Sequence, residues 1–440
     1  MRVLKRTDRA AAALATVLAL VAVACGDDDN AAVSSDETTQ AAVDSTAPDD
    51  SSVSTSGEDA TGQATGTVIK IGLLYSETGR SASTFSTAND VAAAWANHVN
   101  TTKQGIGGHV VEILAYDVES DAAVATEKVR EAVEQDGVSA VMVFDGNAET
   151  AVRSYLSDKN IPMIGSVSSS YVTDQPATEF PMSTSGKGSW LSTLAATAAA
   201  GSHLGYIVCS EVPACSEPDD FFQTNAESFG VTYTPNVLAS HQEASYTAAC
   251  LAATSDEEDV LGLAFAAEVV PIIFDECQLQ GYGGYLLGTG GTVSGAVYDT
   301  FDGVKVVGWL EGFPWWADDP AAKEFRDVVS AASPDLDYRL TAATLTWAEL
   351  EFFAKVMGER GPAADTEVTA ADIISVYFSV EGENVNGLLP GPLTFSDAGT
   401  QPPVTCAFLF TYENGEFRTL AEGASGNGAV GDLQSTCSDL

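Results

Sequence analysis

The chain has 440 residues, with 19 basic against 62 acidic and a formal net charge of −43 at pH 7. That length exceeds what one hydrophobic core serves well, and it points to two lobes plus some non-globular sequence. The acidity excludes a nucleic-acid partner and an electrostatic hold on anionic membrane surfaces.

Residues 1–25 read as an export signal. Arg2, Lys5, Arg6 and Arg9 precede an apolar run over 10–24 that is too short and small-sided for a good membrane span. The run ends Ala22-Val23-Ala24-Cys25-Gly26, which resembles a bacterial lipobox with Ala22 where Leu is usual. Cys25 is the expected lipidation site; the alternative is an ordinary cleaved signal and free secretion. The signal holds four of the basic residues and one acidic one, so the mature chain carries 15 against 61, or −46. Residues 26–66 are mostly Ser, Thr, Ala, Asp, Gly and Glu and lack aromatics, so a disordered tether is expected. Such a tether would hold a domain roughly 30–40 Å from its anchor. A shed propeptide is the alternative.

The folded part opens with VIKIGLLY over 68–75, a run with Lys70 as its only charge and the pattern of a strand buried on both faces. A Ser, Thr and Gly loop over 76–85 follows, then a helix over 86–99 with Val91, Ala94, Trp95 and His98 at helical spacing. Strands over 109–117, 138–144 and 161–164 alternate with helices over 120–135 and 148–156, which implies parallel pairing. Ligands of such sheets bind beyond the strands' carboxyl ends. There the turns Asp145-Gly146-Asn147-Ala148 and 165–170 offer backbone and hydroxyl donors suited to a carboxylate. Plain N-capping is the competing explanation for those residues.

The alternation restarts with helices over 188–199, 218–228, 246–253 and 267–279, and strands over 203–209, 230–240, 259–265, 284–288 and 304–311. A helix over 340–358 carries a stripe of Leu340, Ala343, Trp347, Leu350, Ala354 and Met357, and stops at Gly358 and Gly361-Pro362. Short strands over 391–395, 406–412 and 417–420 close the chain. The fold class is therefore α/β, with two Rossmann-like lobes of parallel sheet, several crossovers and a cleft between them. The expected division is 67–188 and 313–395 for the first lobe, and 189–312 and 396–440 for the second.

Seven cysteines are present, and setting Cys25 aside leaves an even number suited to disulfides in an oxidising compartment. Pairing between sequence neighbours is expected: Cys209 with Cys215, Cys250 with Cys277, Cys406 with Cys437. No metal is expected, because there is no Cys-x-x-Cys and the four histidines are scattered. No catalytic motif occurs either: Gly-x-Ser-x-Gly, a phosphate-cradling Gly-rich loop and His-Glu-x-x-His are all missing, so neither an enzyme nor a cofactor is expected. Tyr171, Trp315, Trp316 and Tyr338 could line an apolar ligand, but core or rim packing is the simpler explanation.

The order of elements resembles the type I periplasmic binding proteins, within them the branched-chain amino-acid-binding family of importer receptors. The resemblance rests on Ile69-Lys70-Ile71-Gly72, Thr78-Gly79, residues 110–117, Asn160-Ile161-Pro162-Met163-Ile164 and Tyr246-Thr247-Ala248-Ala249-Cys250-Leu251, and covers about 68–420. It implies a ligand gripped by lobe closure, with carboxylate donors from Gly146 and Asn147 and from Val167, Ser168 and Ser169. It also implies an aromatic contact near Thr84, for which Phe85 is the candidate. In the second lobe the family's tyrosines fall near Ala214-Cys215 and 266–269. Its ammonium-binding acid falls near Thr289-Gly290, leaving Gly290 at that place and Glu268 or Glu211 as replacements. Losing that acid argues against a free amino acid, because a buried ammonium needs a carboxylate. The implied protein is a monomeric, lipid-anchored extracytoplasmic receptor of an ABC importer, with membrane permease and ATPase partners, for an amino acid or related carboxylate or amide. A tethered ligand sensor for a signalling system is the alternative.

Overall fold

The first strand sits at the middle of its sheet. In a computed structural model, which describes residues 62–166, 176–211, 213–254, 260–289, 297–298, 303–420 and 433–438, β1 (Val68–Tyr75) pairs in parallel with β2 (Val110–Asp117) and β3 (Ala140–Phe144). β4 (Met163–Ser166) adds beyond β3, so the sheet runs β2-β1-β3-β4. Between these strands lie α1 (Ala82–Phe85), α2 (Ala88–Thr102), α3 (Ala122–Arg130) and α4 (Gly146–Lys159). Ile69, Ile71 and Leu73 face one side with Trp95 of α2; Leu74, Val141 and Val143 face the other with Val129 of α3 and Val152 of α4. This two-sided burial explains the unbroken apolar run of β1. The expected helix over 120–135 is α3 followed by a π-helical turn, Glu131–Asp136.

After α5 (Gly186–Ala200) the chain builds a second sheet from β5 (His203–Cys209), β6 (Thr232–Tyr233), β7 (Val237–Ala239), β8 (Val260–Ala264), β9 (Tyr285–Gly288) and β10 (Val306–Leu310). α6 (Pro218–Asn225), α7 (Thr247–Ala253) and α8 (Val270–Leu279) connect them. The strand expected over 230–240 is instead the two short strands β6 and β7, and Pro235 between them cannot donate to a ladder.

α9 (Pro320–Ala332) and α10 (Thr341–Arg360) then pack on α2, and α10 also meets β4, so this stretch returns to the first sheet. Almost every residue of α10 from Thr341 to Phe353 is buried, more than a single stripe accounts for. α11 (Ala370–Tyr377) begins at a Thr369–Asp372 capping box. Residues 391–395 form no strand and pair only through an isolated Glu383–Leu393 bridge, with Pro390 and Pro392 removing donors. β11 (Cys406–Glu413), β12 (Glu416–Thr419) and β13 (Thr436–Cys437) finish the second sheet, whose main path is β12-β11-β10-β9-β8-β5-β6.

The three expected disulfides are formed: Cys209–Cys215 after β5, Cys250–Cys277 between α7 and α8, and Cys406–Cys437 between β11 and β13. Among the described residues no helix is long and apolar enough to cross a membrane.

Candidate functional site

The carboxyl ends of β1, β2 and β3 are tied together by a short hydrogen-bonded chain. Ser76, fully buried just after β1, donates its hydroxyl to Asp145 Oδ2 at 2.8 Å. Ser120, after β2, donates its amide and its hydroxyl to the Ser76 oxygen at 3.2 and 3.1 Å. Asp145 Oδ1 in turn accepts the amides of Asn147 and Ala148 at 2.8 and 3.0 Å, capping α4.

Asp117, the last residue of β2, fixes the loop after β1. It accepts the Thr78 hydroxyl at 2.7 Å and the amides of Glu77, Thr78 and Glu119. Burial alone would raise its pKa, but these hydrogen bonds outweigh it and hold the carboxyl below its ordinary value. Above this clamp is an open recess of about 470 Å³ lined by Arg80, Glu119, Ser120, Asp121, Ala122 and Asn147.

A second polar constellation lies where the two sheets meet. Arg153 of α4 pairs with both carboxylate oxygens of Glu179, the Nη2 contact to Oε1 being 2.9 Å, and reaches Glu149 Oε1 at 2.8 Å. Glu349 of α10 is fully buried, and neither of its carboxylate oxygens makes a well-formed hydrogen bond, the Ser166 amide being the donor that acts on it. Glu311, next after β10, is partly exposed. Its carboxyl is pushed up to about 8, first by burial and then by the charge of Glu149. Burial raises Glu349 well above the usual range; the Ser166 amide opposes this, and Glu311 and Glu149 reinforce it.

The residues singled out from sequence fall in different places. Asn147 is exposed on the recess, but its amide is already given to Asp145, so its side chain is what remains for a ligand. Gly146 is the first residue of α4. Phe85 ends α1 half-buried against the main core. Glu268 is exposed just before α8, and Glu211 is engaged by Ser240 and His241. Val167, Ser168, Ser169, Tyr171, Gly290 and Cys25 lie outside the described residues. Trp315 is buried, Trp316 stacks on Phe417 at 4.8 Å, and Tyr338 packs edge-on to Phe325, all in keeping with packing roles. Arg80 and the glutamates at 149, 179, 311 and 349 were not legible as site residues.

Among the described residues one ligand-type trio converges, Cys209, Glu211 and His241. The Cys209 sulfur is bonded to Cys215 and offers no thiolate.

A family model described as periplasmic binding protein matches residues 68–416. The chain belongs to the periplasmic binding protein family. Its members bind small-molecule ligands outside the cytoplasm. No curated protein matches the sequence. Among solved structures, a branched chain amino acid ABC transporter protein from Thermus thermophilus with bound valine is 14% identical with a TM-score of 0.66, covering 82% of this chain and 96% of its own. A fatty acid ABC transporter substrate-binding protein from Thermomonospora curvata is 16% identical at 0.64, covering 85% and 98%. A solute binding protein from Rhodopseudomonas palustris in complex with 3,4-dihydroxybenzoic acid is 13% identical at 0.61, covering 80% and 95%. At these identities the likeness is one of fold, and two lobes of α/β sheet are common to all of them.

Proposed function

We propose that this chain is the solute-binding receptor of an ABC importer, working by lobe closure and without chemistry of its own. The observation that carries this reading is the family match running through both sheets, from β1 to β12. In this reading residues 1–24 are removed, Cys25 becomes the N-terminus and carries the lipid, and 26–66 tether a monomeric domain to the outer face of the membrane. The first lobe is 67–188 with 313–395 and the second is 189–312 with 396–440. Permease subunits in the membrane receive the ligand.

The grip on the ligand's polar end is assigned to Gly146, the Asn147 side chain, Val167, Ser168 and Ser169, with Arg80 as an added donor and Phe85 as an apolar neighbour. Valine, a fatty acid and a dihydroxybenzoate are bound or carried by proteins of this fold. Side chains in the cleft therefore choose the ligand.

The test is a thermal-shift screen of residues 26–440 against amino acids, amides, small carboxylic acids and amines. A ligand at about 100 times its Kd adds about 2.7 kcal/mol of stability. A shift that is lost in Asn147→Ala supports the reading; no shift with any solute class counts against it.

A further inference from the structure

Among the described residues the junction between the sheets holds four carboxyl groups, those of Glu149, Glu179, Glu311 and Glu349, against the one guanidinium of Arg153. Each comes from a different element: Glu149 from α4, Glu179 from the segment before α5, Glu311 from the end of β10, Glu349 from α10. Arg153 is spent on Glu179 and Glu149. Among the described residues Glu311 and Glu349 have no cation of their own, and Tyr377 of α11, beside Glu349, has a buried hydroxyl that meets no partner.

A buried carboxyl without a well-formed hydrogen bond on either oxygen is costly, and native proteins keep such groups where they serve a purpose. The backbone places this one at the crossover. A Cβ on Gly312, next to Glu311, would lie 2.4 Å from Thr344 Oγ1 of α10, so the end of β10 is pressed onto the helix that returns to the first sheet. Glu311 keeps part of its surface open, which makes it the member of the group within reach of a solute.

We propose that Glu311, backed by Glu349 and Glu149, is a subsite for an organic cation, an ammonium or guanidinium carried by the ligand, and this rests on the receptor reading above. A metal ion is the wrong size for the group: ligand atoms gather within 4.8 Å among the described residues only at Cys209, Glu211 and His241. Carboxylates spaced more widely suit a group with several N–H donors. Glu311 would take, from a different strand, the acid role in the second lobe for which Glu268 and Glu211 were the candidates from sequence. In the ligand-free protein a proton does the cation's work on Glu311, so binding of a cation at neutral pH releases that proton.

Calorimetry and thermal shift on residues 26–440 test this with putrescine, agmatine and L-arginine as cations, butyramide as a neutral probe and butyrate as an anion. At least one cation is expected to bind, about tenfold or more tightly at pH 9 than at pH 6. Its apparent enthalpy at pH 7 should vary with the buffer's ionisation enthalpy as a proton leaves. Glu311→Gln should weaken it about 30-fold or more and abolish the proton release, while Glu311→Asp, which keeps the charge, should retain the release. Binding confined to butyramide or butyrate, or cation binding that survives Glu311→Gln, overturns the subsite and leaves the receptor reading standing. Silence from every probe counts against both.

Discussion

Gly165 of β4 and Glu349 of α10 compete for one volume: a Cβ on Gly165 would lie 2.3 Å from Glu349 Oε2 and 2.9 Å from its carboxyl carbon. The carboxyl is pressed against the strand just before the turn expected to grip the ligand. Gly165→Ala must therefore displace Glu349 or the strand, at a cost of about 1–3 kcal/mol of stability. In a Glu349→Ala background the same substitution should cost measurably less, with a coupling of at least about 0.5 kcal/mol in a double-mutant cycle by urea denaturation. An equal cost in both backgrounds would show that the contact is not what requires glycine there.

Stability should depend on pH through the same group. Glu311 is pushed up to about 8 from its ordinary 4.5, by burial and then by Glu149. Glu349 is raised well above 4.5, chiefly by burial. A raised carboxyl means the folded state binds more protons than the unfolded one. Its contribution is complete below 4.5 and is lost as pH rises towards and through 8. Thermal melts should show a falling Tm between pH 5 and 8, flattened in Glu311→Gln and flattened further with Glu349→Gln. A Tm that falls as steeply in the double variant places the effect elsewhere.

Much of the fold was legible because its signals are local. The run over 68–75, the Asp145 turn and the restart at His203 each show a period or a cap within a few residues. Helices α9 and α11 went unread although Asp319-Pro320 and Thr369 with Asp372 are start signals, because their apolar faces are short. The cation subsite is a different case. Glu149, Glu179, Glu311 and Glu349 are far apart in sequence and acquire meaning only when tertiary contacts bring them together. One clue was present: TLTWAELEFF places two acids in a strongly apolar helix. Glu351 finds Trp95 Nε1 at 2.7 Å and Lys103, whereas Glu349, on the other face, finds no cation among the described residues and no well-formed hydrogen bond.

The disulfides should rank by the loops they close. Cys250–Cys277 spans 27 residues and Cys209–Cys215 spans 6. Chain-entropy reasoning gives about 3.5 kcal/mol for the longer loop and about 2.2 kcal/mol for the shorter. Paired Cys→Ser variants should therefore lose more stability at Cys250 and Cys277, read as the shift in urea midpoint at unchanged slope. The reverse order would mean that the short loop after β5 is held in the native state by its bond.

Asp145 joins the scaffold to the recess, and its removal should separate the two roles. Its Oδ1 caps α4 and its Oδ2 receives Ser76, which itself receives Ser120. Asp145→Ala loses the cap, about 1 kcal/mol, and leaves the buried Ser76 hydroxyl without its acceptor, a further 1–3 kcal/mol or so. Asp145→Asn keeps an acceptor for the Asn147 and Ala148 amides and should cost less. Ser76→Ala in the Asn background should then cost little more, because the charge-assisted bond is already gone. If the receptor reading holds, Asp145→Ala should also weaken ligand binding, since α4 begins at Gly146 and carries Asn147, while Ser76→Ala alone should change stability more than affinity. Urea denaturation and titration calorimetry on these four variants read both effects, and an Asp145→Ala protein of unchanged affinity would remove the start of α4 from the binding site.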